Sequence, residues 1–161
     1  MPKLVRSALT ALLIMMPICF VGGAAYAQAN LERFGAYLQS LDEASADWPT
    51  RVETIMQRLE SQAQRQGAMA LTDANRQLYT LRLITKDGIK NTDTSDLAYY
   101  KVAKAKLSLT LARSGVSRAI TAVTSQTAPG HEAFEELVEL GQNMDQALNL
   151  EVPTAATGDA Q

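Results

Sequence analysis

Between residues 95 and 126 the chain repeats its apolar side chains every seven places, at Val102, Leu109, Val116 and Val123. Three places after each of the first three stand Ala105, Ala112 and Ala119. Seven residues are close to two helical turns, so this spacing holds one face of a helix toward a neighbour, and the alanines let that neighbour's backbone come near. No proline interrupts the stretch, which predicts one long helix. Gly115 in its interior costs on the order of 1 kcal/mol relative to alanine, and its position suggests a close helix crossing or a slight bend. A second stripe, Leu97, Tyr100, Leu107 and Leu111, lies on another side of the first half. Two apolar faces require covering from two sides, so this helix is expected to be central.

The remaining apolar positions follow the same helical period. Leu31, Phe34, Leu38 and Leu41 predict a helix over 31–46, with Asn30 as its N-cap. Asp47-Trp48-Pro49-Thr50 breaks it and starts the next, over 50–66, either through a Thr50–Glu53 capping box or through Asp47 as cap with Pro49 in the first turn. That helix buries Val52, Ile55, Met56 and Leu59, and carries rows of arginine (Arg51, Arg58, Arg65) and glutamate (Glu53, Glu60) along its flanks. Gln66-Gly67-Ala68 reads as a link, Thr72 or Asp73 as the cap of a helix over 73–86, and Lys86-Asp87-Gly88 as its end. Ser95 is expected to cap the long helix. After Thr127-Ala128-Pro129-Gly130 a last helix begins at His131, with Phe134, Leu137, Val138, Met144 and Leu148 inward. No strand alternation and no internal repeat is visible, so the expected fold is all-α: a single bundle of about five helices.

The first 27 residues have a different grammar. Lys3 and Arg6 give a basic start, Ala8 to Val21 an apolar run, and Ala25-Tyr26-Ala27 a small-x-small cleavage site. This is the layout of a cleavable secretory signal peptide of bacterial style, which predicts a periplasmic or secreted product with no stable membrane anchor once it is cut. The expected division is therefore 1–27 signal peptide, 28–152 helical domain, and 153–161 a disordered tail lacking large apolar residues.

Composition narrows the chemistry. The chain is 47% hydrophobic and 20% charged, enough for a packed core. The formal net charge is −2, and without Lys3 and Arg6 it becomes −2 − 2 = −4. A mildly acidic body does not suit nucleic acid, which needs clustered positive charge. Cys19 is the only cysteine and lies in the segment expected to be removed, so the mature chain has no disulfide, catalytic thiol or thiolate ligand. His131 is the only histidine, and no Gly-x-Ser-x-Gly setting accompanies it. The densest set of possible metal ligands is His131, Glu135 and Glu139, at i, i+4 and i+8 on one helix face. Acidic residues in a first helical turn are also what the helix dipole favours. The long helix is basic (Lys101, Lys104, Lys106, Arg113, Arg118) and the last one acidic (Glu132, Glu135, Glu136, Glu139), so these two are expected to complement each other.

Leu71-Thr72-Asp73-Ala74-Asn75-Arg76-Gln77 resembles the Leu-Thr-x-x-Gln signature of exported helical stress chaperones and metal-resistance sensors, with Asn75 where that motif has glutamine. The stretch occurs once and also reads as an ordinary helix start. The expectation drawn from the residues is a non-catalytic exported protein with no cofactor. It binds another protein or a second copy of itself, as an accessory or assembly subunit of a bacterial envelope or secretion system. Trp48, Ala105, Ala112 and Ala119 are its candidate interface residues. The alternative is a periplasmic small-ligand or metal-binding protein of chaperone-like type, signalled by a cleft at Trp48 or by inward carboxylates near His131.

Overall fold

The structure is a computed structural model that describes residues 3–62, 64–125 and 132–152, with side chains from residue 24 onward. All regular structure among these residues is helical: α1 Lys3–Ala44, α2 Trp48–Ser61, α3 Arg65–Lys90, α4 Ser95–Thr124 and α5 Glu132–Leu148. The expected tail, 153–161, lies outside them.

α3 and α4 form the spine, an antiparallel pair joined by residues 91–94 and sharing the most extensive contact of any two helices. Their approach is set by small residues. A Cβ built on Gly115 would lie 2.8 Å from Ala74 Cβ and 3.1 Å from the Ala70 carbonyl oxygen, so glycine is what allows the two backbones to pass this closely. The seven-residue seam of α4 is fully used here: Ala105, Leu109, Ala112, Val116, Ala119 and Val123 are completely buried.

α1 and α2 lie end to end along α3. Asp42 accepts from Thr85 at 2.7 Å, and farther along Glu53 accepts from Asn75 at 3.1 Å. Gly88 faces Leu38 at one end and Gly67 faces Leu59 at the other, which completes a single antiparallel register. The corner between them is closed by Trp48, 3% exposed. α5 covers α2 and α4, antiparallel to both. The end of the fold that contains α1 is built from α1, α3 and α4, and the end that contains α2 is built from α2, α3, α4 and α5.

Several helix boundaries differ from the sequence expectation, for identifiable reasons. α1, Lys3–Ala44, runs through residue 31 rather than starting there, because nothing between Ala24 and Leu31 breaks a helix; Asn30 sits inside it and accepts from Arg33 at 2.8 Å instead of capping. Thr50 falls in the first turn of α2, so the capping box does not form, and Asp47 occupies the N-cap position without a side-chain cap bond. α3 begins at Arg65, absorbing the expected link: Gly67 is buried against Leu59 and Val123 rather than marking a turn. Thr72 is likewise interior and donates to the Ala68 carbonyl at 3.2 Å. Gly88 does not end α3. It serves close approach, since a Cβ there would lie 2.5 Å from Leu38 Cδ1. Thr94, one residue before Ser95, caps α4 by accepting from the Leu97 N–H at 3.3 Å.

Candidate functional site

The four residues expected at an interface are all inside the chain. Ala105, Ala112 and Ala119 are fully buried and Trp48 nearly so, which means that the close approach permitted by the alanines is made by this chain's own helices. None of the four offers an exposed surface.

The expected metal set does not converge among the described residues either. His131 lies outside them, and no group of three or more His, Cys, Asp or Glu side chains is placed to hold an ion among those described. Glu135 is exposed, while Glu139 is engaged by Arg51 at 3.1 Å. Glu136 meets Arg58 at 3.0 Å, and Glu132 reaches the same guanidinium at 3.6 Å. Glu132, Glu136 and Glu139 of α5 thus complement Arg51 and Arg58 of α2. Opposite charges were expected to pair α5 with α4, and there the described contact is made by a different acid: Arg113 holds Asp145 through two bonds of 2.8 Å. The reason is position, because α5 lies in the groove between α2 and α4 and its first turns face α2.

The basic residues of α4 divide into two kinds. Lys101 is 8% exposed and works inside the fold. Its ammonium lies 2.7 Å from Asp87 Oδ2 and donates to the carbonyls of Asn91 at 3.0 Å and Asp87 at 3.3 Å, so it neutralises the C-terminal end of α3. Arg118 reaches Asp73 at 3.7 Å. Lys104 and Lys106, by contrast, lie over aromatic rings, 5.1 Å from the Tyr100 centroid and 5.2 Å from the Tyr37 centroid. Neither has a carboxylate within ion-pair distance among the described residues.

These contacts shift a few acids and phenols. Asp87 titrates below the ordinary carboxylate value, mainly because Lys101 and then Asn91 donate to it. Asp145 is lowered by the Arg113 bond. Burial raises the Tyr37 phenol, whose hydroxyl meets no hydrogen-bond partner among the described residues, and the bond to Glu53 raises that of Tyr79.

What stands out on the surface is the second apolar stripe of α4. Leu97 is 36% exposed, Tyr100 55%, Leu107 59% and Leu111 45%. This stripe was expected to be covered by a second neighbour. The sequence pattern alone does not distinguish a face covered within the chain from one left for something else. A different opening lies at the α1–α2 corner, a cleft of about 350 Å³ lined by Asp47, Trp48, Arg51, Asn143, Gln146 and Leu150, among others. Its polar side chains include the Asp47 carboxylate, the amides of Asn143 and Gln146, and Arg51, which Glu139 already engages.

No helix among the described residues is long and apolar enough to cross a membrane. In comparisons with known proteins, no family model, no curated protein and no solved structure matches the chain.

Proposed function

We propose that this is an exported, non-catalytic helical bundle that acts by binding another protein, as an accessory or assembly subunit of a bacterial envelope or secretion system. The observation that carries the reading is the exposed row Leu97, Tyr100, Leu107 and Leu111, an apolar helix face left open among the described residues. A contiguous apolar strip of this kind is a normal feature of a protein surface that meets a partner. Export is supported by the basic, apolar and small-residue order of residues 1–27. Among the described side chains, residues 24–29 are exposed and the first buried ones are Tyr37 and Leu38, so a cut after Ala27 falls in an exposed stretch ahead of the described core.

Native mass spectrometry of the protein recovered from the bacterial envelope tests this directly. A chain starting at Gln28 in a complex with another protein is the expected result. A monomer that starts at Met1 and carries no partner rejects both parts of the reading.

A second reading is a small-ligand protein using the cleft beside Trp48, where Asp47, Arg51, Asn143 and Gln146 surround space for a compact polar molecule. In the same spectrum, a monomer with an added small-molecule mass would favour it over the first.

A further inference from the structure

We infer that the outer face of the first half of α4 docks an amphipathic helix of another protein, one that sets a carboxylate opposite Lys104. This deepens the interaction reading above and rests on it. The argument begins with spacing. Leu97, Tyr100, Lys104, Leu107 and Leu111 alternate steps of three and four, the signature of a seam made to receive another helix at a shallow crossing angle. The row runs about four turns, or about 21 Å at 1.5 Å per residue. Its four apolar members are all exposed, whereas the parallel row through Val102, Leu109 and Val116 on the same helix is buried.

Charge selects the occupant. Lys104 interrupts the row at its centre, and its ammonium lies over the Tyr100 ring with no carboxylate within ion-pair distance among the described residues. A second copy of the chain is a poor fit. The antiparallel pairing that matches Leu97 with Leu111 and Tyr100 with Leu107 sets Lys104 against Lys104, and so does the parallel in-register pairing. Like charges meeting at the centre of a seam act against self-association. An anionic bilayer is also a poor fit, because surface binding of that kind draws on clusters of four to eight basic residues. This face instead has Lys104 as its one central cation, Asp96 in its first turn, and Arg118 already facing Asp73. A helix with leucine-type residues in its own seam and a glutamate or aspartate in register with Lys104 satisfies both the apolar row and the cation. The ring under Lys104 keeps the ammonium on the face, ready for that carboxylate.

The test is site-specific photocrosslinking of the full chain in the cells that make it. Benzoylphenylalanine replaces Leu107 on this face, or Leu83, a leucine of α3 that is 72% exposed and serves as control. The expected adduct forms from position 107 with another protein, and the crosslinked peptide maps to an amphipathic helix bearing acidic residues. Lys104→Glu reduces that adduct about tenfold, with helicity unchanged by circular dichroism.

A paired binding measurement isolates the charge. Two synthetic helical peptides share a leucine seam and differ only in carrying glutamate or lysine beside it. The wild-type chain prefers the glutamate peptide by about tenfold, and Lys104→Glu reverses the preference. Equal affinity for the two peptides overturns the proposed charge selection. A position-107 adduct with the chain itself or with lipid overturns the proposed occupant. A protein adduct from position 83 alone overturns this face while leaving the interaction reading intact. No adduct from either position, together with a partner-free native mass, removes both.

Discussion

α4 carries two apolar rows of nearly the same period, and they meet opposite fates. Val102, Leu109 and Val116, with the alanines between them, are buried against neighbouring helices; Leu97, Tyr100, Leu107 and Leu111 face solvent. The difference is in the small residues. Alanine at 105, 112 and 119 and glycine at 115 let another backbone come close enough to exclude water along the first row. The second row has bulky side chains throughout and a lysine at its centre, so it lacks the small residues that bring a neighbouring backbone close. Periodicity shows that a helix face is apolar. Side-chain size decides how closely a neighbour approaches.

Substitutions in the two rows separate their roles. Leu109→Ala, which empties a fully buried site, is expected to lower stability by about 2–5 kcal/mol. Chemical denaturation followed by circular dichroism measures it. Gly115→Val introduces atoms where Ala74 and the Ala70 carbonyl already stand, and about 1–3 kcal/mol should be lost to overpacking. The same melts check this, and a gain in stability would show that α3 and α4 do not pass as closely as described.

Smaller effects come from the ion pairs that fix α5 and the α3 terminus. The Arg113–Asp145 pair is 26% and 49% exposed at its two side chains, so a double-mutant cycle with Arg113→Gln and Asp145→Asn should give a coupling of only about 0.5–1 kcal/mol. Both Asp145 and Asp87 titrate below their ordinary value. A depressed carboxylate contributes stability that is complete above its unfolded value, about 3.9 for aspartate, and lost as pH falls through the folded value. The denaturation midpoint should therefore fall on going from about pH 5 to about pH 3, and the gap between wild type and Arg113→Gln should narrow over that range. At the end of the scale, Leu107→Gln on the exposed row should change stability by no more than about 0.5 kcal/mol. A large loss there would mean that the row is covered within the chain after all.

The helical class and the identity of the main seam were readable because one period ran unbroken through Val102 to Val123. Boundaries were harder. Gly67 and Gly88 were read as punctuation, yet both lie inside α3 at points where another helix comes close, and sequence does not distinguish a glycine that ends a helix from one that admits a neighbour. The pairing of the α5 glutamates with Arg51 and Arg58 was hidden for a similar reason. The arginine row was visible, but which helix it faced depended on α5 lying between α2 and α4. Lys101 carried no signal of burial, because the carbonyls it neutralises belong to the end of another helix. The exposed row was visible as an apolar stripe, while its lack of a neighbour emerged only from the packing of the whole.

The brevity of the connection at residues 91–94 has a kinetic consequence. Closing a short turn costs little chain entropy, so α3 reaches α4, and through the equally short link at residues 62–64 also α2, by a local search, and of these two pairs α3 and α4 share the more extensive contact. The pair held together at Gly115 and tied at Lys101 is thus the natural nucleus, onto which the flanking segments condense from opposite ends of the chain. Perturbing the Gly115 crossing should slow folding, whereas loosening α5 at Asp145 should mainly hasten unfolding.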